Sequence, residues 1–166
     1  MAIKEEIEVS RSTRHPKIAG NFFESLVLYV MSKNGFECAL IDHTGIDLLA
    51  KNPHTNELMG ISVKGRTRNS GEKAGRVKID NCNSHFEKIK DACTSFGDAV
   101  PYLAIVTDAK GVITGVVVPL SHIIDNYPPG GTNLNWGMDS KSLSIYYDDP
   151  NIKVFNYSSG NNKWWQ

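Results

Sequence analysis

The chain has 166 residues, of which 40% are hydrophobic and 22% charged, and its formal net charge is zero. This length is that of one compact domain, so we predict that residues 1–166 form a single domain with its own core. The sequence contains neither a run of about 18 apolar residues nor a basic start followed by an apolar stretch. These absences argue against a membrane span and a signal peptide, and we expect a cytoplasmic protein.

The cysteines and histidines do not form a metal-binding pattern. Cys38, Cys82 and Cys93 are an odd number without a CxxC pair, which argues against a disulfide framework and a thiolate zinc site. The five histidines never occur at the close spacing of a histidine-rich site on one element. Carboxylates are the remaining ligands for a metal ion.

A first helix is predicted from Pro16 to Asn34, because proline suits the first helical turn and Asn34-Gly35 suits a C-terminal stop. Glu24 lies at the border of its apolar face, where a long carboxylate can reach a neighbouring cleft. The apolar residues repeat with the helical period at Ala19, Phe22, Phe23, Leu26, Val27, Val30 and Met31.

Two strands, Gly45 to Lys51 and Leu58 to Arg66, are predicted to form an antiparallel hairpin, because turn-forming residues join them. A turn centred between them places Asp47 across from Ser62, with Cβ atoms ~5 Å apart. Lys64 then shares their face. The opposite, apolar face is predicted to hold Ile46, Leu48 and Ala50 on one strand and Met59, Ile61 and Val63 on the other.

A basic stretch follows from Lys64 to Lys78. A net charge of zero gives no support to nucleic-acid binding, but this stretch has a local positive excess where phosphates can bind. The alternative is a solvated, flexible loop, because glycine and small polar residues interrupt it. The candidate phosphate-binding residues are Arg66, Arg68, Lys73, Arg76 and Lys78.

The remaining chain alternates further helix and strand patterns. Ser84-His85-Phe86-Glu87 has the spacing of a capping box and opens a second amphipathic helix that runs to Gly97. We predict, in order, a hairpin of Val100–Thr107 and Val112–Pro119, a short helix at Ser121–Asn126, a loop over Tyr127–Met138, and strands at Leu143–Tyr147 and Lys153–Tyr157.

The order of these elements resembles the restriction-endonuclease-like superfamily, the PD-(D/E)xK nucleases, and in particular the branch of archaeal Holliday junction resolvases. The likeness rests on a helix with Glu24, a strand with Gly45-Ile46-Asp47 and a strand ending Ile61-Ser62-Val63-Lys64. It covers Pro16 to about Phe96. The resemblance implies an α/β fold with a mixed central sheet flanked by helices.

The resemblance also implies a metal-dependent endonuclease that hydrolyses DNA phosphodiester bonds, with RNA left open as a substrate. Its catalytic residues are Glu24, Asp47, Ser62 and Lys64, and its Mg²⁺ or Mn²⁺ ligands are Asp47, Glu24 and the carbonyl of Val63. Phosphodiester hydrolysis needs a hard divalent ion and a group that neutralises phosphate charge, and carboxylates with a lysine suit both. A homodimer is expected, because a symmetric pair commonly makes two strand cuts.

Ser62 departs from the family pattern, which usually has Glu, Asp or Gln at this position. A hydroxyl is a weaker ligand than a carboxylate, so a catalytically weak or inactive nucleic-acid-binding module of the same fold stays open as an alternative. The net charge of zero keeps a second alternative open, a protein-interaction domain of the immunity type. We expect Ser62 to lie at the mouth of a cleft, where Glu can replace it without overpacking.

Overall fold

A computed structural model of the protein describes residues 10–69 and 72–160, and within them four helices and eight strands. The helices are α1 (His15–Lys33), α2 (Cys82–Ser95), α3 (Leu120–Asn126) and α4 (Ser140–Asp148). The strands are β1 (Glu37–Leu40), β2 (Leu48–Lys51), β3 (Leu58–Thr67), β4 (Arg76–Ile79), β5 (Val100–Ala109), β6 (Val112–Pro119), β7 (Leu134–Gly137) and β8 (Lys153–Ser158).

Six strands form one mixed sheet in the order β1-β2-β3-β5-β6-β8. β3 and β5 are parallel, and the other neighbours are antiparallel. A parallel pair needs a long crossover connection, and the segment with β4 and α2 supplies it. β4 and β7 form a separate two-stranded ribbon. The predicted α/β fold with a mixed sheet and flanking helices is therefore confirmed.

Helices α2 and α3 with the ribbon cover one face of the sheet, α1 covers the other, and each face has its own core. The first core packs α2, α3 and the ribbon on one face, with Phe86, Ile89, Ile123 and Trp136 among its buried side chains. The second core packs α1 on the other face, through Phe23, Val27 and Met31. Since successive strand residues point to opposite faces, the central strands contribute to both cores.

The first helix and hairpin match their predictions. α1 begins at His15 and ends at Lys33, and Gly35 takes the positive φ of 87° that a helix stop commonly needs. The pairing of Leu48 with Ile61 and of Ala50 with Met59 is the predicted hairpin register. The edge strand β1, which pairs with β2, was not predicted.

Ile46 was assigned to the wrong face of the hairpin. It is fully buried in the first core, against α2, whereas Leu48 and Ala50 lie in the second core with α1. The reason is that β2 begins only at Leu48, so the strand alternation does not extend to Ile46. The loop before β2 directs Ile46 toward the other helix layer.

The capping box predicted at Ser84 is not the start of α2. The helix begins at Cys82, after Asn81 in the left-handed conformation (φ 48°), and Asn81 makes no side-chain capping bond. The amide of Cys82 instead donates to the carbonyl of Thr132 at 2.9 Å. A tertiary backbone contact thus satisfies one of the amides that the first turn of a helix leaves without an intrahelical partner.

Two predictions near the C-terminus were wrong. Leu143–Tyr147 belongs to helix α4, whose first turn is capped by Asp139 accepting from the Ser142 amide at 2.8 Å. Its apolar residues at Leu143 and Tyr146 fit the i,i+3 spacing of a helix face on the first core. The predicted loop over residues 127–138 contains β7, which a distant strand, β4, pairs with.

The other predicted elements are present. β5 and β6 form the expected hairpin, with Lys110 (φ 52°) and Gly111 (φ 74°) supplying the two positive φ angles of a tight two-residue turn. α3 and β8 lie where short helical and strand patterns were predicted. Across the described ranges 10–69 and 72–160, no helix is long and apolar enough to cross a membrane.

Candidate active site

Asp47 lies just before β2 and is held against β3 by its backbone and its side chain. Its amide donates to the carbonyl of Ile61 at 2.8 Å, and its Oδ2 accepts from the amide of Val63 at 2.6 Å. Its own carbonyl accepts from Ile41 at 2.8 Å. The carboxylate is therefore fixed where the hairpin ladder ends, in place of a further backbone partner for Val63.

This geometry also directs the carbonyl of Val63. The N–H and C=O of one strand residue point to the same side of the strand, so the Val63 carbonyl points to the side on which Asp47 lies. Burial raises the pKa of Asp47, while the Val63 hydrogen bond, the charge of Lys64 and a hydrogen bond from Ser62 act in the opposite direction. Hard oxygen donors thus lie on one side of β3.

Glu24 approaches from α1, and its position depends on how closely α1 packs on β3. A Cβ atom at Gly65 would overlap the ring of Phe23, so glycine is needed for this approach. Burial and the charge of Asp47 raise the pKa of Glu24, while Lys64 lowers it. Glu24, Asp47 and Lys64 are therefore close enough for their charges to interact.

Ser62 is buried, with 2% of its surface exposed, so its expected position at a cleft mouth was wrong. Its Oγ lies 3.4 Å from Nε2 of His85, and its hydroxyl acts to lower the pKa of Asp47. Its neighbours on β3 are Ile61 and Val63, whose side chains lie in the second core. Ser62 is thus enclosed between the hairpin and α2.

His85 lies next to Ser62 in the candidate site, although no pattern in the sequence pointed to it. Burial and the charges of Lys64 and Lys88 lower its pKa to about 4, so the imidazole is neutral at pH 7. Its only signal in the sequence was membership of the supposed capping box. Its position next to Ser62 depends on the packing of α2 against β3, which no local pattern reveals.

A cleft of 430 Å³ opens beside these residues, between β3, β4 and the first turns of α2. In the part of the chain that the structure describes, four cationic side chains and one carboxylate line it, and the carboxylate, Asp80, pairs with Lys78 at 2.8 Å. The cations are Lys64, Arg66, Lys78 and Lys88. Lys88 was not among the predicted phosphate-binding residues.

The other predicted phosphate-binding residues do not line this cleft. Arg68 donates from Nε to the carbonyl of Ala74 at 2.9 Å and from its guanidinium to the carbonyl of Arg76, so it closes the basic loop on itself. Lys73 lines a different pocket, beside Asp139. Arg76, the third residue of this group, is also absent from the cleft lining. Its charge helps to lower the pKa of Asp139, which is lowered mainly by the hydrogen bond from the Ser142 amide.

Two carboxylates, those of Glu24 and Asp47, are described at the site. Within residues 10–69 and 72–160, there is no group of three or more His, Cys, Asp or Glu side chains that could hold a metal ion. Mg²⁺ is commonly held by one or two carboxylates with waters and substrate phosphates. Glu24, Asp47 and the Val63 carbonyl are donors of the type that this ion takes.

Comparison with solved structures assigns the fold to the restriction-endonuclease-like class. The chain is similar to Hjc, a Holliday junction resolvase from the archaeal hyperthermophile Archaeoglobus fulgidus, with a TM-score of 0.51 and 19% identity over 76% of this chain and 88% of that chain. A bacterial homing endonuclease is also similar, with a TM-score of 0.43, 18% identity and 79% coverage of each chain. Comparisons with protein-family models and with curated proteins found no match. The likeness to Hjc confirms the predicted resemblance at the level of the fold.

Proposed function

We propose that the protein is a metal-dependent endonuclease that hydrolyses phosphodiester bonds in DNA. The observation that carries this proposal is the position of Asp47, which is hydrogen-bonded to Val63 at the end of the hairpin and interacts with both Glu24 and Lys64. Two carboxylates and a lysine at this place in a restriction-endonuclease-like fold have the chemistry that phosphodiester cleavage requires.

The donor set fits Mg²⁺ or Mn²⁺. The pKa values of both carboxyls are raised, by burial first and, for Glu24, by the charge of Asp47 as well. A divalent cation would relieve both costs, and Asp47, Glu24 and the Val63 carbonyl would hold it. When bound, it supplies a water of lowered pKa and charge neutralisation at the phosphate.

The other site residues act on the substrate. The Lys64 ammonium would hold a phosphate oxygen or the attacking hydroxide, since its charge acts on both carboxylates and its side chain lines the basic cleft. Arg66 and Lys78 extend this positive surface away from the site. A DNA strand in the cleft would therefore have its phosphates beside cations and one of them near Asp47. We propose a homodimer for paired strand cuts.

The test is cleavage of plasmid and branched DNA in Mg²⁺ or Mn²⁺, with EDTA as control. We expect nicking that EDTA abolishes, and loss of at least ~100-fold in rate for Asp47→Asn and for Lys64→Ala. Lys51→Ala is the matched control, because Lys51 is an exposed lysine of the same hairpin, and its rate should equal that of the wild type. Metal-independent nicking, or full activity of Asp47→Asn, would refute the proposal.

A second candidate is a nucleic-acid-binding module without catalysis. Ser62, which supplies a hydroxyl where the family usually has an acidic or amide group, favours it. In that case the protein binds DNA through the basic cleft but does not cut it in either metal. Absence of both binding and cleavage would leave the protein-interaction alternative.

A further inference from the structure

The basic cleft has two walls of different origin. One wall belongs to β3, which carries Lys64 and Arg66, and to strand β4 of the ribbon, which carries Lys78. The other wall is the first part of α2, with Ser84, His85 and Lys88. Ser84 and Lys88 lie one helical turn apart, a rise of ~6 Å, with His85 between them. The α2 wall lies outside the family motif and outside the predicted basic stretch.

The Lys88 turn of α2 adjoins the candidate active site. A Cβ atom at Gly45 would overlap the carbonyl oxygen of Lys88 and the side chain of Ala92, so the loop that carries Asp47 packs directly on this turn. Lys64 is common to both places, because it interacts with Glu24 and Asp47 and also lines the cleft. A nucleic-acid strand that had one phosphate at Lys64 would therefore run along α2.

The chemistry of this wall suits an anion. Lys64 and Lys88 both act on His85, which stays neutral at pH 7 because its pKa is lowered to about 4, chiefly by burial. The imidazole therefore offers hydrogen bonding without adding a charge, and Ser84 offers a hydroxyl. Among residues 10–69 and 72–160, Asp80 is the one carboxylate that lines the cleft, and it is paired with Lys78. Within these ranges Lys64, Arg66 and Lys88 form no ion pair, so they can contact a phosphate.

We infer that Ser84, His85 and Lys88 form a second phosphate subsite, which holds the backbone phosphate next to the one bound at Lys64. This inference rests on the proposed function, because it takes a nucleic-acid strand as the ligand. In this subsite Lys88 makes a charged contact with the phosphate and His85 a neutral hydrogen bond. The nucleic-acid strand then runs between β3 and α2. Direct contact with the phosphate backbone implies binding with little sequence preference.

The test measures binding in EDTA, so that cleavage plays no part. A fluorescently labelled oligonucleotide is titrated with the protein from about 50 to 200 mM salt, followed by anisotropy. We expect Lys88→Gln to weaken binding about three- to tenfold and to lower the salt slope by about one. Lys90→Gln is the matched control, because Lys90 lies on the same helix, pairs with Glu87 at 3.1 Å and does not line the cleft. It should bind as the wild type does.

A second variant separates the neutral contact from the charged one. His85→Ala should weaken binding at every salt concentration but leave the salt slope unchanged, because a neutral imidazole releases no counterion. Circular dichroism verifies that each variant is folded. Inorganic phosphate as competitor should displace the oligonucleotide weakly, since it occupies one subsite at a time.

The outcomes distinguish this inference from the proposed function. If Lys88→Gln and Lys90→Gln bind alike with equal salt slopes, the subsite is refuted, even where the wild type cuts DNA in Mg²⁺. If Lys88→Gln loses affinity and slope while the wild type cuts nothing, the subsite stands and the nuclease proposal fails. A loss of salt slope in His85→Ala would contradict the neutral role of the imidazole.

Discussion

Ser62 lies at the centre of the candidate site, between Asp47 and His85, with 2% of its surface exposed. A carboxylate here would add a third acidic group beside Asp47, but it would also be buried. Charge burial without a partner is costly, so the enclosed hydroxyl is consistent with a stable metal-free protein. The stability of a carboxylate variant should therefore depend on metal.

We predict that Ser62→Asp makes stability metal-dependent. In EDTA it should lower the free energy of unfolding by ~3 kcal/mol relative to Ser62→Asn, which has the same shape without the charge. Mn²⁺ at a hundred times its Kd should restore about 2.7 kcal/mol. Urea unfolding with and without Mn²⁺ measures both effects. If Mn²⁺ stabilises the two variants equally, position 62 does not lie beside a metal.

At the scale of elements, the packing of α1 on β3 decides where Glu24 lies. Because residue 65 has no side chain, the ring of Phe23 can occupy the space above it, and α1 lies directly over β3. Phe23 and Glu24 are consecutive, and a shift of one moves the other. The glycine of β3 therefore positions a carboxylate that belongs to a different element.

We predict that Gly65→Ala destabilises the protein by about 1–3 kcal/mol, because the new methyl group overpacks the α1 interface. Gly20→Ala is the matched control: Gly20 lies within α1 with open space around it, and alanine should stabilise the helix by about 0.5–1 kcal/mol. Urea unfolding followed by circular dichroism gives both values. Equal stability of the two variants would show that α1 tolerates a shift over β3.

For the whole molecule, the sheet joins the two cores. In β5, Leu103 and Ile105 face the first core while Ala104 and Val106 face the second. Loss of either core would expose one face of the strands that the other core needs. The chain is therefore expected to unfold as one unit.

We predict one cooperative transition in urea for both cores. Trp136, which is buried in the first core, reports by fluorescence in a background with Trp164→Phe and Trp165→Phe. The methyl signals of Met31 and Met59 report on the second core by NMR. The two probes should give the same midpoint. Separate midpoints would mean that the two faces of the sheet unfold independently.

Elements whose signals are local could be predicted from the amino-acid sequence. The helical period and the Pro16 and Gly35 signals defined α1, and strand alternation with turn residues defined the hairpins β2–β3 and β5–β6. Once these elements were predicted, Glu24 could be assigned to the first helix and Asp47 and Lys64 to the hairpin. Short patterns are ambiguous. The apolar residues of α4 fit both the helical period and the alternation of a strand, and the prediction of a strand there was wrong.

Contacts between elements that are distant in sequence could not be predicted and are seen in the folded structure. The pairing of β4 with β7 and the packing of α2 on the loop at Gly45 join segments far apart in sequence, so no local period encodes them. His85 and Lys88 reach the candidate site through that packing. Likewise, nothing local distinguishes Arg68, whose guanidinium binds backbone carbonyls, from Arg66, which faces the cleft. The partner of a side chain depends on the three-dimensional fold.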